Sequence, residues 1–298
     1  MPITQLHLDA TTTATKAWAE LTRVFRSAAL ESPVIDSRLL ICHVLGLDRL
    51  GLLREPHRPL ADHAGPLIAA ARRRLACEPV SRIVGERYFW GRPFKITPAT
   101  LDPRPDSETL VAAALEVAEP IQAARGTAPL RLLDLGTGTG CLLLTLLAER
   151  PTATGVGIDI SPEAVAVARD NARRLGLDSR AAFSVGWWGQ GVTGPFDIVV
   201  SNPPYIRRGD LTNLAPDVAR YDPVLALDGG DDGLSAYRDI LATSLQLADP
   251  AAVLFEVGKG QADDVQRLMV GAFADHRAVT TQRWRDLADI ERVVSVAT

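Results

Sequence analysis

From Lys16 to Leu75 the apolar residues recur three and four apart, as in Trp18, Leu21, Val24 and Phe25, then Leu39, Leu40, Val44 and Leu45. That is the period of amphipathic helices, and it predicts a small helical bundle. Its breaks fall at Ser32-Pro33, Gly46, Pro56 and Pro59, with Pro79 closing the region, because proline and glycine interrupt the helical hydrogen-bond ladder. Between Tyr88 and Leu101, the apolar Phe89, Trp90, Phe94 and Ile96 flank Gly91-Arg92-Pro93 and predict a hairpin whose aromatics serve packing. After Pro129 the pattern changes to short apolar runs alternating with helical stretches, the signature of strand-helix units on a mostly parallel sheet. Strands are expected over Leu130 to Leu135, Thr154 to Ile158, Ala181 to Val185, Phe196 to Val200 and Ala251 to Val257, with two more near the C-terminus. Helices are expected after Gly140, Ser161, Gly233 and Gly260. The chain is thus expected to comprise a helical domain over 1–78, a hairpin linker over 79–108 and an α/β domain over 109–298.

Composition narrows the partners. With 298 residues, 47% of them hydrophobic and 23% charged, the chain has material for a buried core in one large or two smaller domains. A net charge of −4 counts against a protein that coats nucleic acid, which needs a basic surface to neutralise phosphates. Cys42, Cys77 and Cys141 are too scattered for a disulfide framework or a CxxC metal pair, so a reducing cytoplasm is expected. No signal peptide and no apolar run of membrane-spanning length is visible, and no membrane partner is expected. His7, His43, His57, His63 and His276 show no ligand spacing, and Arg72, Arg73 and Arg74 read as a solvated helix face.

The segment from Leu132 to Leu135 runs as an apolar strand into Gly136-Thr137-Gly138-Thr139-Gly140, and then into the apolar stretch from Cys141 to Ala148. Glycine permits positive φ and a close approach of backbone to a ligand, while the helix start offers free N–H groups. The same glycines also suit a purely steric turn, so the pattern alone is weak. Asp159 sharpens it. It ends the second strand 19 residues beyond Gly140, close to the spacing at which a carboxylate receives ribose hydroxyls in dinucleotide folds. The Gly-x-Gly-x-Gly spacing lacks the wider last gap of a pyrophosphate site, which favours an adenosyl group. Asp134 reads equally as a ligand contact or a loop-capping acid. Trp187 or its neighbour Trp188 follows the third strand at the sheet edge where such ligands bind, as an adenine cover or as an ordinary aromatic plug.

The fourth strand delivers Ser201-Asn202-Pro203-Pro204-Tyr205 to that same edge. A planar amide or aromatic amine is a poor nucleophile with two N–H donors that need acceptors. The Asn202 oxygen and the Pro203 carbonyl offer both, and two consecutive prolines stiffen the support. Tyr205 offers a ring face or edge to a planar substrate. A prolines-only turn is the plain alternative, but not one that explains the glycine loop and acid upstream.

Together these residues resemble the release factor glutamine methyltransferases, the HemK/PrmC family. The likeness extends through Pro79-Val80, Ile83 to Glu86, Phe89-Trp90-Gly91, and above all Pro103 to Glu108. It continues through Tyr221-Asp222-Pro223, Ala226-Leu227, Gly229-Gly230, Asp232-Gly233-Leu234 and Phe255 to Gly258 with Gln261. The resemblance implies a class I S-adenosylmethionine-dependent methyltransferase fold, α/β and Rossmann-like with a mostly parallel seven-stranded sheet, and an N-terminal helical domain that helps hold the substrate. It places Gly136, Thr137, Gly138, Thr139, Gly140, Asp159, Trp187 and Asn202 at the S-adenosyl-L-methionine, and Asn202, Pro203, Pro204 and Tyr205 at the substrate, with no metal. The implied reaction methylates the side-chain amide nitrogen of the glutamine in the Gly-Gly-Gln loop of class 1 peptide chain release factors. Arg82, Asp102, Asp222 and Asp289 depart from the family pattern, which has an aromatic, an apolar residue, glutamate and glycine there. A ribosomal-protein glutamine methyltransferase and an adenine N6-methyltransferase acting on DNA or RNA share the Asn-Pro-Pro-Tyr motif. The Pro105 to Glu108 segment favours the release factor branch, and the acidic balance disfavours the nucleic-acid enzyme. A non-catalytic cofactor-binding scaffold is a fourth reading, against which the intact motif stands.

Overall fold

The computed structural model describes residues 6–190, 192, 194–248, 250–274 and 279–297, with the side chains of 243–248 left aside. His276 lies outside the described residues. The chain divides into two compact units, Met1–Gly85 with Ala215–Tyr221, and Glu86–Leu214 with Asp222–Thr298. Among the described residues, no helix is long and apolar enough to cross a membrane.

The first unit is helical. Helix α1 (Ala14–Ser27) starts where the Thr13 hydroxyl accepts the backbone N–H of Lys16, satisfying one of the donors a helix start leaves free. Helix α2 (Pro33–Leu45) opens on a proline, whose missing N–H costs nothing there, and closes on Gly46 at φ 64°. Helices α3 (Arg49–Arg54), α4 (Ala64–Leu75) and α5 (Val80–Val84) complete it. Leu21, Phe25, Leu40, Ile41, Leu60 and Leu67 are fully buried together, each stabilising the unit by about 1.5–3 kcal/mol relative to exposure. The arginine run is not a uniform solvated face. Arg74 pairs with Asp36 at 2.7 Å, both largely buried, and Arg73 pairs with Glu78 at 2.5 Å, leaving Arg72 exposed.

The second unit opens with the hairpin β1 (Glu86–Phe89) and β2 (Arg92–Lys95), in the register Phe89↔Arg92. The turn is Trp90-Gly91, with φ 50° and 70°, one residue earlier than Gly91-Arg92-Pro93 implied. Positive φ at both central residues matches the twist of a two-residue hairpin, and Pro93 lies within the ribbon's second strand. The strained Trp90 is tied down on both sides, its backbone N–H donating to Glu108 Oε1 (2.7 Å) and its indole N–H to Glu149 Oε1 (3.1 Å).

There follow α6 (Glu108–Arg125), β3 (Arg131–Leu135), α7 (Cys141–Glu149), β4 (Thr154–Asp159), α8 (Pro162–Arg174), β5 (Ala181–Val185) and β6 (Ile198–Ser201). Next in the chain is α9 (Pro216–Tyr221), which belongs to the first unit, where the Tyr221 hydroxyl donates to the Ala76 carbonyl at 3.3 Å. Then come α10 (Ser235–Ala248), β7 (Ala252–Glu256), α11 (Ala262–Ala272), β8 (Thr280–Arg285) and β9 (Glu291–Ala297). The sheet order is β5-β4-β3-β6-β7-β9-β8, parallel from β5 to β7, with β9 running antiparallel to both of its neighbours. This is the class I methyltransferase fold.

Both faces of the sheet are covered, so its central strands read as continuous apolar runs. Successive side chains point to opposite faces. Leu132, Ile198, Val200, Ala252 and Leu254 join one core beneath α6 and α7, while Leu133, Leu135, Val199, Val253 and Phe255 join the other with Tyr237 and Phe273. The parallel strands therefore bring Gly136, Asp159, Gly186, Asn202 and Glu256 to one carboxyl edge.

Candidate active site

The loop after β3 is built by positive φ at Gly136 (73°), Gly138 (54°) and Gly140 (79°), values that side chains beyond glycine rarely adopt. The end of β4 braces it, since the N–H groups of Gly136 and Thr137 both donate to the Ile158 carbonyl at 2.9 Å. Asp159 closes the brace. Its Oδ2 accepts the Gly138 N–H (2.8 Å) and its Oδ1 the Ser161 N–H (3.0 Å). Each carboxylate oxygen keeps further lone-pair capacity. Burial raises the Asp159 carboxyl above its ordinary value, and the backbone N–H groups pull it back.

Asp134 stands one layer deeper. It is fully buried, takes the Thr137 hydroxyl on Oδ2 at 2.6 Å, and is pushed up to about 7 by desolvation. Its place is under the loop, as a capping acid. Both tryptophans reach the cavity wall, with different exposure. Trp187 is 40% exposed on the cavity wall. Trp188 packs into the second core, with Cζ3 3.6 Å from where a Gly136 Cβ would stand.

The Asn-Pro-Pro-Tyr segment leaves β6 anchored by Ser201, whose hydroxyl donates to the Leu135 carbonyl at 2.6 Å. Downstream, the N–H of Ile206 donates to Leu227 and that of Gly229 returns to Ile206 (3.0 and 2.8 Å). A Cβ on Gly229 would lie 2.8 Å from the Pro204 carbonyl oxygen, so only glycine admits this approach. Gln261 clamps the far end, its Nε2 donating to the Tyr205 carbonyl (3.0 Å) and its Oε1 accepting the Gly258 N–H (3.0 Å). The Asn202 amide donates to Ser107 Oγ at 3.1 Å.

A cavity of about 500 Å³ opens at this edge, walled by Gly138, Thr139, Asp159, Trp187, Asn202 and Pro204 among others. Gly136 and Thr137 also line it, but among the described residues Gly140, Pro203 and Tyr205 do not reach its wall. Gly140 starts α7, Pro203 is buried, and the Tyr205 ring packs against the second core, where burial raises its hydroxyl. Two polar side chains at this edge, Ser107 and Glu256, carried no separate role in the sequence. Both stood inside segments that carried the family resemblance.

Comparison with known proteins decides the family. Residues 16–85 match the model of the PrmC N-terminal domain and residues 127–229 that of a methyltransferase domain. The chain is 52% identical over 244 residues to the release factor glutamine methyltransferase of Rhodospirillum rubrum, covering 81% of this chain and 73% of that protein. The protein of the same name from Bradyrhizobium diazoefficiens is 44% identical, over 91% of this chain and 90% of its own. The chain belongs to the release factor glutamine methyltransferase family. The catalytic domain of hMettl16, solved with a MAT2A 3'UTR hairpin, aligns with a TM-score of 0.53 at 15% identity, over 78% of this chain and 81% of that one, a likeness of fold.

Three of the four departures from the family pattern have a local setting. Asp102 and Asp222 meet, the Asp102 N–H reaching Asp222 Oδ1 at 3.3 Å while Arg104 pairs with Asp222 Oδ2 at 2.5 Å. The buried Asp222 carboxylate is thereby compensated. Asp289 holds φ 61°, a left-handed conformation that glycine favours and that aspartate tolerates better than most residues. Arg82 lies in α5.

Proposed function

We infer that the protein transfers a methyl group from S-adenosylmethionine to the side-chain amide nitrogen of the glutamine in the Gly-Gly-Gln loop of class 1 release factors, in the cytoplasm. The observation that carries this reading is the convergence of the glycine loop, Asp159, Trp187 and Asn202 on one cavity, in a chain of this family. The cavity suits an adenosyl group. Positive-φ glycines leave open backbone on one wall, Asp159 supplies acceptors suited to ribose hydroxyls, and the exposed indole of Trp187 suits the adenine face. When bound, S-adenosylmethionine supplies the electrophilic methyl carbon of a sulfonium. The rest is done by the chain. Asn202, held by the rigid Pro203-Pro204 backbone, accepts a glutamine N–H donor and aims the nitrogen, so the reaction depends on alignment and fixed dipoles. No metal is called for.

Calorimetric titration with S-adenosylmethionine in the presence of a chelator, followed by methyl transfer to a release factor, tests the reading. Metal-independent binding with transfer is expected; binding abolished by the chelator, or bound cofactor without transfer to any release factor, would refute it.

A further inference from the structure

The proposed chemistry needs the oxygen of Asn202, not its NH2, to face the substrate, and an amide side chain rotated by half a turn would exchange the two. Strand register answers what prevents this. Ser201 of β6 pairs with Phe255 of β7, so the next residues, Asn202 and Glu256, are neighbours, and by alternation both take the face of Val200 and Leu254. That face is covered at this edge by the short helical turn Pro105–Ser107. The Asn202 amide donates to Ser107 Oγ at 3.1 Å, and the Glu256 carboxylate lies beside both, near enough for their polar groups to favour its ionised form. Glu256 is 1% exposed, and its Oε2 has no hydrogen-bond partner among the described residues, an arrangement costly to keep for packing alone.

We propose that Glu256 and Ser107 form a positioning pair that engages the N–H groups of Asn202 and so fixes its oxygen toward the substrate glutamine. An inverted amide would set its oxygen against the carboxylate in a site of low polarity, where like partial charges repel strongly. Other charges near Glu256 are already engaged. Arg292 of β9 pairs with Asp286 (2.8 Å) and Asp106 (3.1 Å), and the Tyr237 hydroxyl donates to the Glu256 backbone carbonyl (2.8 Å). The proposal rests on the reading that Asn202 receives the substrate amide.

The test combines turnover with a readout independent of it. Glu256→Ala should lower kcat on a release factor by up to about 100-fold, within the range for one preorganised contact, with cofactor affinity unchanged. Glu256→Gln, which keeps an acceptor oxygen, should recover part of that loss. In an Asn202→Ala background Glu256→Ala should cost nothing more, since the two act through one group. In the cofactor-free protein, the Asn202 side-chain NH2 signals in nitrogen-edited NMR should exchange slowly with water and lose that protection in Glu256→Ala. Ser107→Ala, a smaller change, should reproduce a weaker form of both effects if Glu256→Ala does not fold. Losses that multiply in the double variant, or Asn202 amide signals unmoved by either substitution, would overturn the proposal. Absence of methyl transfer by the unsubstituted enzyme would strike the function reading instead, leaving the NMR outcome to judge the pair.

Discussion

At the scale of single residues the account turns on Asn202 and Asp159. Asn202→Ala should fold and bind cofactor but lose about 10²- to 10³-fold in turnover, the usual effect of removing one preorganised contact to the reacting group. Asn202→Asp keeps an acceptor and should retain more activity than alanine, although it places a second carboxyl beside Glu256. Near-normal turnover of Asn202→Ala at saturating substrate, measured by methyl incorporation, contradicts the role. Asp159→Ala should weaken S-adenosylmethionine binding by roughly 1.5–3 kcal/mol, the range for hydrogen bonds to a charged group. Asp159→Asn should lose less, because one oxygen still accepts the Gly138 N–H that shapes the loop. An unchanged dissociation constant in folded Asp159→Ala removes the residue from the site. The sequence placed both at the sheet's carboxyl edge, because each stands at the end of a plain apolar run. It left Trp187 and Trp188 undecided, since both reach the cavity wall, and that Trp188 also packs into the core beneath Gly136 goes with a left-handed backbone (φ 46°) that no pattern announces.

At the scale of elements, the parallel strands were legible because β3, β6 and β7 are buried on both faces and so are mostly apolar, with polar residues confined to Asp134 and the strand ends. The hairpin turn was displaced by one residue, because Gly91 and Pro93 are equally strong turn signals and only pairing registers them. That Asn202 stands beside Glu256 and meets Ser107 was invisible, since it depends on which strands lie side by side and what covers their ends. Those same strand ends store an electrostatic cost. Asp134 and Glu256 are both buried and pushed up to about 7, so each takes up a proton on folding between its ordinary value and pH 7. Stability should therefore fall as pH rises through about 4 to 7 on their account, with the full penalty present above it. Asp134→Asn should flatten that slope in denaturant titrations at several pH values. An unchanged slope in this variant would mean that Asp134 ionises as freely in the fold as in the unfolded chain.

At the scale of the molecule, the helical unit carries exposed apolar side chains one turn apart, Ile35 and Leu39 on α2, Leu50 and Leu53 on α3, which are 50%, 43%, 56% and 59% exposed. As part of the proposed recognition of a whole release factor, Leu50→Lys with Leu53→Lys should raise KM for the intact protein while leaving a short Gly-Gly-Gln peptide unaffected. Equal effects on both substrates would locate the damage in the catalytic unit. The most direct measurement of the whole account is mass spectrometry after incubating the enzyme and S-adenosylmethionine with four substrates in parallel: a release factor, its variant lacking the Gly-Gly-Gln glutamine, ribosomal protein and nucleic acid. One added methyl group on the peptide bearing that glutamine, absent from the variant and the other substrates, is the predicted result; methylation that persists in the variant, or that falls only on ribosomal protein or nucleic acid, would contradict it.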